Sequence, residues 1–205
     1  MLTRLKQQVQ KMLAVEARTA HRAGLTPNMI TCIGAVLAFF SATAFALWQS
    51  NTFYLFLAAV LLLLSGFCDA LDGAVARLFS QASAFGGFLD SLLDRYADAA
   101  VYTGIVVSGL SDVPWGLAAL IGSLLVSYTR ARAEASGTKM ETVGLAERPE
   151  RIVILAVAGV TAAFWQPRVT MNACVVLLAV LTNLTVLQRS IYAYKKLKRN
   201  GKANT

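Results

Sequence analysis

Apolar runs long enough to cross a bilayer alternate with short polar breaks along this chain. A span needs roughly 20 residues at about 1.5 Å rise per residue. Such runs fall at 29–48, 53–78, 86–110, 114–133, 151–166 and 169–192, the fifth being short. The breaks hold turn formers: Gln49-Ser50-Asn51, Ser80-Gln81-Ala82-Ser83, Ser111-Asp112-Val113-Pro114 and Gln166-Pro167-Arg168. Trp48, Trp115 and Trp165 lie beside alternate breaks, where an interfacial aromatic belt would place them. The pattern predicts an all-α integral membrane protein with six transmembrane helices. Ahead of them, Leu2, Leu5, Val9, Met12, Leu13 and Val15 recur among Lys, Arg and Gln in a rough helical stripe. That stripe predicts an amphipathic helix lying in the membrane interface, ended by Gly24 and Pro27. The expected organisation is one domain over 1–205: an interfacial helix over 1–26, a six-helix bundle over 27–192 and a basic cytoplasmic tail over 193–205.

Composition agrees: 57% of residues are hydrophobic and 15% charged, and the mean hydropathy of +0.58 excludes an ordinary soluble domain. Of the 19 Lys and Arg, all but Arg168 fall at one set of span ends, which by the positive-inside rule puts both termini on the cytoplasmic side of the cell membrane. The net charge of +8 comes with no nucleic-acid-binding motif, so anionic membrane lipid, not nucleic acid, is the expected partner of these cations. Cys32, Cys68 and Cys174 are odd in number and sit in apolar stretches, which suggests neither a disulfide framework nor a zinc site.

Within this apolar chain stands Asp69-x2-Asp72-Gly73-x2-Ala76-Arg77-x8-Gly86-x3-Asp90-x3-Asp94, on the cytoplasmic side of the predicted bundle. An ionised Asp in a spanning helix costs roughly 2.5 to 3.5 kcal/mol on insertion scales, so such a cluster requires a compensating partner. Asp69 and Asp72 share one helical face, as do Asp90 and Asp94. Facing each other across two adjacent antiparallel helices, they would form an oxygen-only cage suited to Mg²⁺ or Mn²⁺, with enough carboxylates for two ions. Paired metals serve phosphoryl transfer by holding the attacking and leaving oxygens. Gly73, Ala76 and Gly86 leave room for a ligand to approach the backbone, and Arg77 can offer its fork to a phosphate.

This spacing resembles that of the CDP-alcohol phosphotransferases, with no departure at any signature position, and the likeness covers nearly the whole chain. The resemblance implies a membrane transferase in which an acceptor hydroxyl attacks the phosphate of a CDP-linked alcohol and CMP leaves. It implies Asp69, Asp72 and Asp90 as metal ligands, Asp94 as a ligand or the general base, and Gly73, Ala76, Arg77 and Gly86 as the CDP-binding surface. The stretches Phe88–Asp98, Ser127–Glu134 and Gly144–Arg151 are similar to the inositol-phosphate branch of that family, bacterial and archaeal. By that likeness Ser127, Arg130, Arg148, Arg151 and Arg189 would cradle the phosphate of inositol 1-phosphate, the donor would be a CDP-linked lipid, and the protein would be a homodimer.

Other readings stay open at this level. Glycerol 3-phosphate as acceptor and CDP-inositol as donor both occur in the family. Intramembrane carboxylates can also line a cation or proton pathway, although these cluster at one end beside glycines and an arginine. Asp98 continues the Asp90–Asp94 face, where hydrogen bonding to the site and helix packing are equally open. His21 is expected to be solvent-exposed, and Gly104, Gly122 and Gly159 to be helix-packing contacts.

Overall fold

The computed structural model describes residues 13–140 and 143–203. All regular structure in them is helical: α1 over 13–22, α2 Pro27–Ala46, α3 Phe53–Leu78, α4 Ala84–Val107, α5 Val113–Ala135, α6 Arg148–Phe164 and α7 Pro167–Ala203. The helix starts follow capping chemistry. Thr26 accepts from Met29 N at 3.3 Å ahead of Pro27, and Ser83 accepts from Gly86 N at 3.0 Å at the start of α4. Proline also stands in the first turns of α5 and α6, where its missing N–H removes no helical bond.

Among the described residues, three helices, α2, α3 and α7, are long and apolar enough to cross a membrane. The six expected spans have helical counterparts, but α4 carries Asp90, Asp94, Arg95 and Asp98, and α6 has only 17 residues. At about 1.5 Å per residue the latter falls short of a hydrocarbon core of about 30 Å. Residues 1–12 of the expected interfacial helix lie outside the described residues. In α1, Ala17 and Ala20 are buried with Ile30, Leu71 and Val75; of the expected stripe, Leu13 packs partly buried against them and Val15 is exposed. The basic segment expected as a separate tail continues α7 through Ala203, because no helix breaker stands between 193 and 199.

The helices close a ring in the order α2, α3, α6, α7, α5, α4, each packed on the next and α4 returning to α2. Small residues allow the close crossings. A Cβ on Gly104 would collide with the Ala42 carbonyl, one on Gly122 with Thr182, and one on Gly159 would lie 3.2 Å from both Ala59 Cβ and Leu55 O. Phe45, Leu55, Ile105, Met171 and Leu178 fill the middle of the ring. At one end Trp48 and Gln49 donate to Ser108 O and Asn172 holds Ser111 and Asp112. The other end holds the acidic motif.

Candidate functional site

Consecutive in sequence, α3 and α4 scarcely touch; α2 packs against both and holds them apart. The expectation of two adjacent helices is therefore corrected: facing carboxylates repel, and the wedge leaves a cleft between them. Asp69, Asp72 and Asp90 meet across it with one oxygen from each within 4.8 Å of the others. Asp72 is 6% exposed and accepts from Thr31 Oγ1 at 2.6 Å. Asp90 Oδ1 is buried with no hydrogen-bond partner among the described residues. Asp94 lines the same cleft but stands outside that trio, its Oδ1 2.9 Å from Arg148 Nη1. The same nitrogen lies 3.0 Å from Asp69 Oδ2.

To one side opens a crevice of about 200 Å³ that gathers all the residues expected for the CDP moiety, Gly73, Ala76, Arg77 and Gly86, with Asp72 and Asp90 at its base. Side-chain ends crowd both glycines. A Cβ on Gly73 would lie 3.0 Å from Arg77 Nη1, and one on Gly86 3.0 Å from both Asn28 Oδ1 and Ser83 Oγ. Arg77 is exposed and makes no ion pair among the described residues.

On the other side a basin of about 480 Å³ gathers all the residues expected for an acceptor phosphate: Ser127, Arg130, Arg148, Arg151 and Arg189. Every one of these arginines already faces a carboxylate. Arg130 Nε pairs with Glu134 at 3.0 Å, Arg151 Nη2 with Asp98 at 2.6 Å, and Arg189 Nη2 with Glu147 at 2.9 Å. Arg189 is 2% exposed and also donates to Val126 O at 2.6 Å and Val143 O at 2.7 Å. Thr185 Oγ1 receives Leu145 N and Ala146 N at 3.2 and 3.3 Å, so α7 pins the loop that delivers Arg148. Gly144 makes the approach possible: its φ is +142°, and a Cβ there would lie 2.7 Å from Thr185 Cγ2.

Sequence reasoning missed Thr31, Asn28 and Glu147. The first two were legible as polar positions in an otherwise apolar run, and Glu147 as the acid preceding Arg148. Asp98 resolves to the hydrogen-bonding reading, with Oδ2 on Arg151 and Oδ1 3.6 Å from Arg148 Nε. His21 is half-buried instead of exposed, because its ring stacks on Phe79 with centroids 3.8 Å apart.

Comparison with known proteins bears on what these cavities serve. A family model described as CDP-alcohol phosphatidyltransferase matches residues 24–193. The archaetidylinositol phosphate synthase of Methanothermobacter thermautotrophicus is 42% identical over 87% of this chain and 88% of its own. That of Pyrococcus horikoshii is 38% identical over 97% and 99%. The crystal structure of the Mycobacterium tuberculosis phosphatidylinositol phosphate synthase with CDP-DAG bound superposes with a TM-score of 0.76 at 32% identity, covering 90% of this chain and 94% of that one. A second structure of that enzyme, in complex with manganese and citrate, also has a TM-score of 0.76, over 89% and 88%.

Proposed function

This chain belongs to the CDP-alcohol phosphatidyltransferase family, and we infer from that membership and from the site that it is a membrane transferase of phospholipid biosynthesis. It moves the phosphatidyl or archaetidyl group of a CDP-linked lipid onto inositol 1-phosphate and releases CMP. One observation carries the reading: Asp90 lines both the crevice and the basin, so two cavities of different chemistry meet at one carboxylate cluster. A transferase needs such a junction, with donor and acceptor entering from opposite sides to meet in line.

The cofactor is Mg²⁺ or Mn²⁺. Three carboxylates within reach of one point, an oxygen-only donor set and the unpartnered buried Asp90 Oδ1 all suit a hard divalent cation. Asp69, Asp72 and Asp90 would hold it, and Asp94 would complete a site for a second ion. Such ions supply positive charge to the donor pyrophosphate and to the oxygen that leaves with CMP. The chain's own groups do the rest. Gly73, Ala76 and Gly86 admit the CDP moiety to the backbone, and Arg77, free of any carboxylate, presents its fork to a phosphate. Ser127 and the four arginines bind the acceptor's phosphate and aim its hydroxyl at the cleft. Asp94, between cleft and basin, takes the hydroxyl proton as the new phosphodiester forms.

We extend the reading to placement. Six spans in the cytoplasmic membrane, α1 in its interface and both termini with the site on the cytoplasmic side are supported by the distribution of Lys and Arg. Anionic lipid would meet that same charge. The family resemblance supports a homodimer.

The experiment is CMP release by purified protein in detergent with Mg²⁺ or Mn²⁺ and a CDP-lipid. Release with inositol 1-phosphate, and not with glycerol 3-phosphate, inositol or serine, is expected. Release with glycerol 3-phosphate alone would overturn the acceptor, release only with CDP-inositol as donor would overturn the donor, and silence under all conditions would sink the reading.

A further inference from the structure

Among the four arginines proposed to bind the acceptor, Arg148 is held differently. Arg151 donates hydrogen bonds to Asp98 and Ala146 O, and Arg189 to Glu147, Val126 O and Val143 O. Arg148 lies against three carboxylates, Asp69, Asp94 and Asp98, at 3.0, 2.9 and 3.6 Å, and its buried Nε and Nη1, like Arg151 Nε, have no aligned hydrogen-bond partner among the described residues. Whereas Arg151 and Arg189 each bind one carboxylate and at least one backbone carbonyl, Arg148 shares its charge among three carboxylates. Its Nη1 also lies between two of the carboxylates that a divalent cation would need. A dication and a guanidinium sharing Asp69 and Asp94 repel at these separations.

We propose that Arg148 is an internal counter-ion that competes with the metal for Asp69 and Asp94, and that metal loading releases its guanidinium toward the acceptor's phosphate. This rests on the acceptor reading above. Asp98 keeps the freed side chain on the basin side, since it faces Arg148 Nε while bonded to Arg151. Arg148 then acts as a positioning residue that couples the two halves of the reaction: the acceptor site gains its central cation only when the metal has arrived. By linkage the coupling is reciprocal, so the acceptor must raise metal affinity by the factor by which metal raises acceptor affinity.

Binding, without turnover, reads this out. Mn²⁺ is titrated into the purified protein in detergent, with and without saturating inositol 1-phosphate and with no CDP-lipid. In the unmodified protein the acceptor should tighten Mn²⁺ binding about tenfold, within the usual range for coupled sites. Arg148→Gln should bind Mn²⁺ about tenfold more tightly without acceptor, and the acceptor's effect should shrink to about twofold or less. Arg151→Gln removes an equal charge that touches neither Asp69 nor Asp94, and should leave acceptor-free Mn²⁺ affinity within about threefold. Melting temperature supplies a second signature: in EDTA Arg148→Gln should melt below the unmodified protein, and Mn²⁺ should close the gap. Should Arg148→Gln fail to fold, Arg148→Lys keeps one charge without a fork to span two carboxylates, and should show the same changes in smaller measure. Unchanged or weaker acceptor-free Mn²⁺ binding by a folded Arg148 variant overturns the proposal, as does an equal gain in Arg151→Gln. Failure of the acceptor reading looks different: inositol 1-phosphate affinity would be indifferent to Arg130→Gln and Arg151→Gln, and the acceptor-free Mn²⁺ comparison would still decide the competition at Asp69 and Asp94.

Discussion

The two cavities that meet at Asp90 differ in how their charge is kept. In the crevice, proposed for the donor, Arg77 stands exposed and without an ion pair among the described residues, at the end of the helix that carries Asp69 and Asp72. In the basin, proposed for the acceptor, Asp90, Asp94, Asp98, Glu134 and Glu147 face Arg95, Arg130, Arg148, Arg151 and Arg189, so cations and carboxylates balance. The crevice is assembled by helix spacing and exposes a ready phosphate ligand. The basin is assembled by tertiary packing and keeps its arginines neutralised. A buried guanidinium left unpaired is strongly destabilising, whereas a single exposed one costs little, and that difference dictates the two designs.

The sharpest break between the two sides comes at their junction. Asp94→Asn keeps the shape of the side chain and removes the proton acceptor, so kcat for CMP release should fall about 10²- to 10⁴-fold. CDP-lipid affinity, which belongs to the crevice, should stay within about threefold; near-native turnover would remove Asp94 from the chemistry. Next in size is Gly73→Leu, which drives a side chain into the Arg77 guanidinium and the crevice. KM for the CDP-lipid should rise about 10- to 100-fold while KM for inositol 1-phosphate is unchanged, as expected when uniform binding to one substrate is lost. A parallel rise in both would mean that the cavities are not separate sites.

The same contrast governs what could be read from the chain. Helix positions were legible because apolar runs, prolines and turn formers are local signals: α3 spans Phe53–Leu78, the bounds of the expected run. The convergence of Asp69, Asp72 and Asp90, and of Gly73, Ala76, Arg77 and Gly86 on one crevice, was legible because these residues repeat at helical spacing along two consecutive segments. The wedge of α2 between α3 and α4 was not, since nothing local records that sequence neighbours are held apart. Nor was the pairing of Arg148 with Asp69 and Asp94, which joins residues from three helices, or the stacking of His21 on Phe79. The arginines that gather in the basin were singled out through family likeness. Of their partners, Asp98 stood out as the continuation of the Asp90–Asp94 face, whereas Glu134 and Glu147 carried no signal beyond their place beside the arginines, though they matter as much to the basin's electrostatics.

Arg130 tests the basin's rim. It is the most exposed of the four arginines and its partner Glu134 is an i,i+4 neighbour, so little is lost from the fold when it goes. Arg130→Gln should raise KM for inositol 1-phosphate about tenfold, the loss of one charge-assisted contact at about 1.5 kcal/mol, with donor KM and melting temperature unchanged. An unchanged acceptor KM would leave Arg130 as a topology determinant and shrink the acceptor site to its buried arginines.

The smallest effect is expected where the crevice meets the metal trio. Thr31 donates to Asp72 Oδ2 at 2.6 Å from a helix that touches both acidic helices, so it orients a carboxylate instead of binding anything itself. Thr31→Val removes the hydroxyl and keeps the shape; Asp72 then loses one hydrogen bond of about 1.5 kcal/mol but remains open to a cation. Misorientation of one ligand in a set should raise the Mn²⁺ concentration for half-maximal CMP release about three- to tenfold and leave the rate at saturating Mn²⁺ nearly unchanged. A fall in the saturated rate would instead mean that Thr31 shapes the reacting geometry, and would move it from the metal's support to the donor's. Because α2 holds α3 and α4 apart, that outcome would also show the wedge itself to be part of how the two cavities are kept in register.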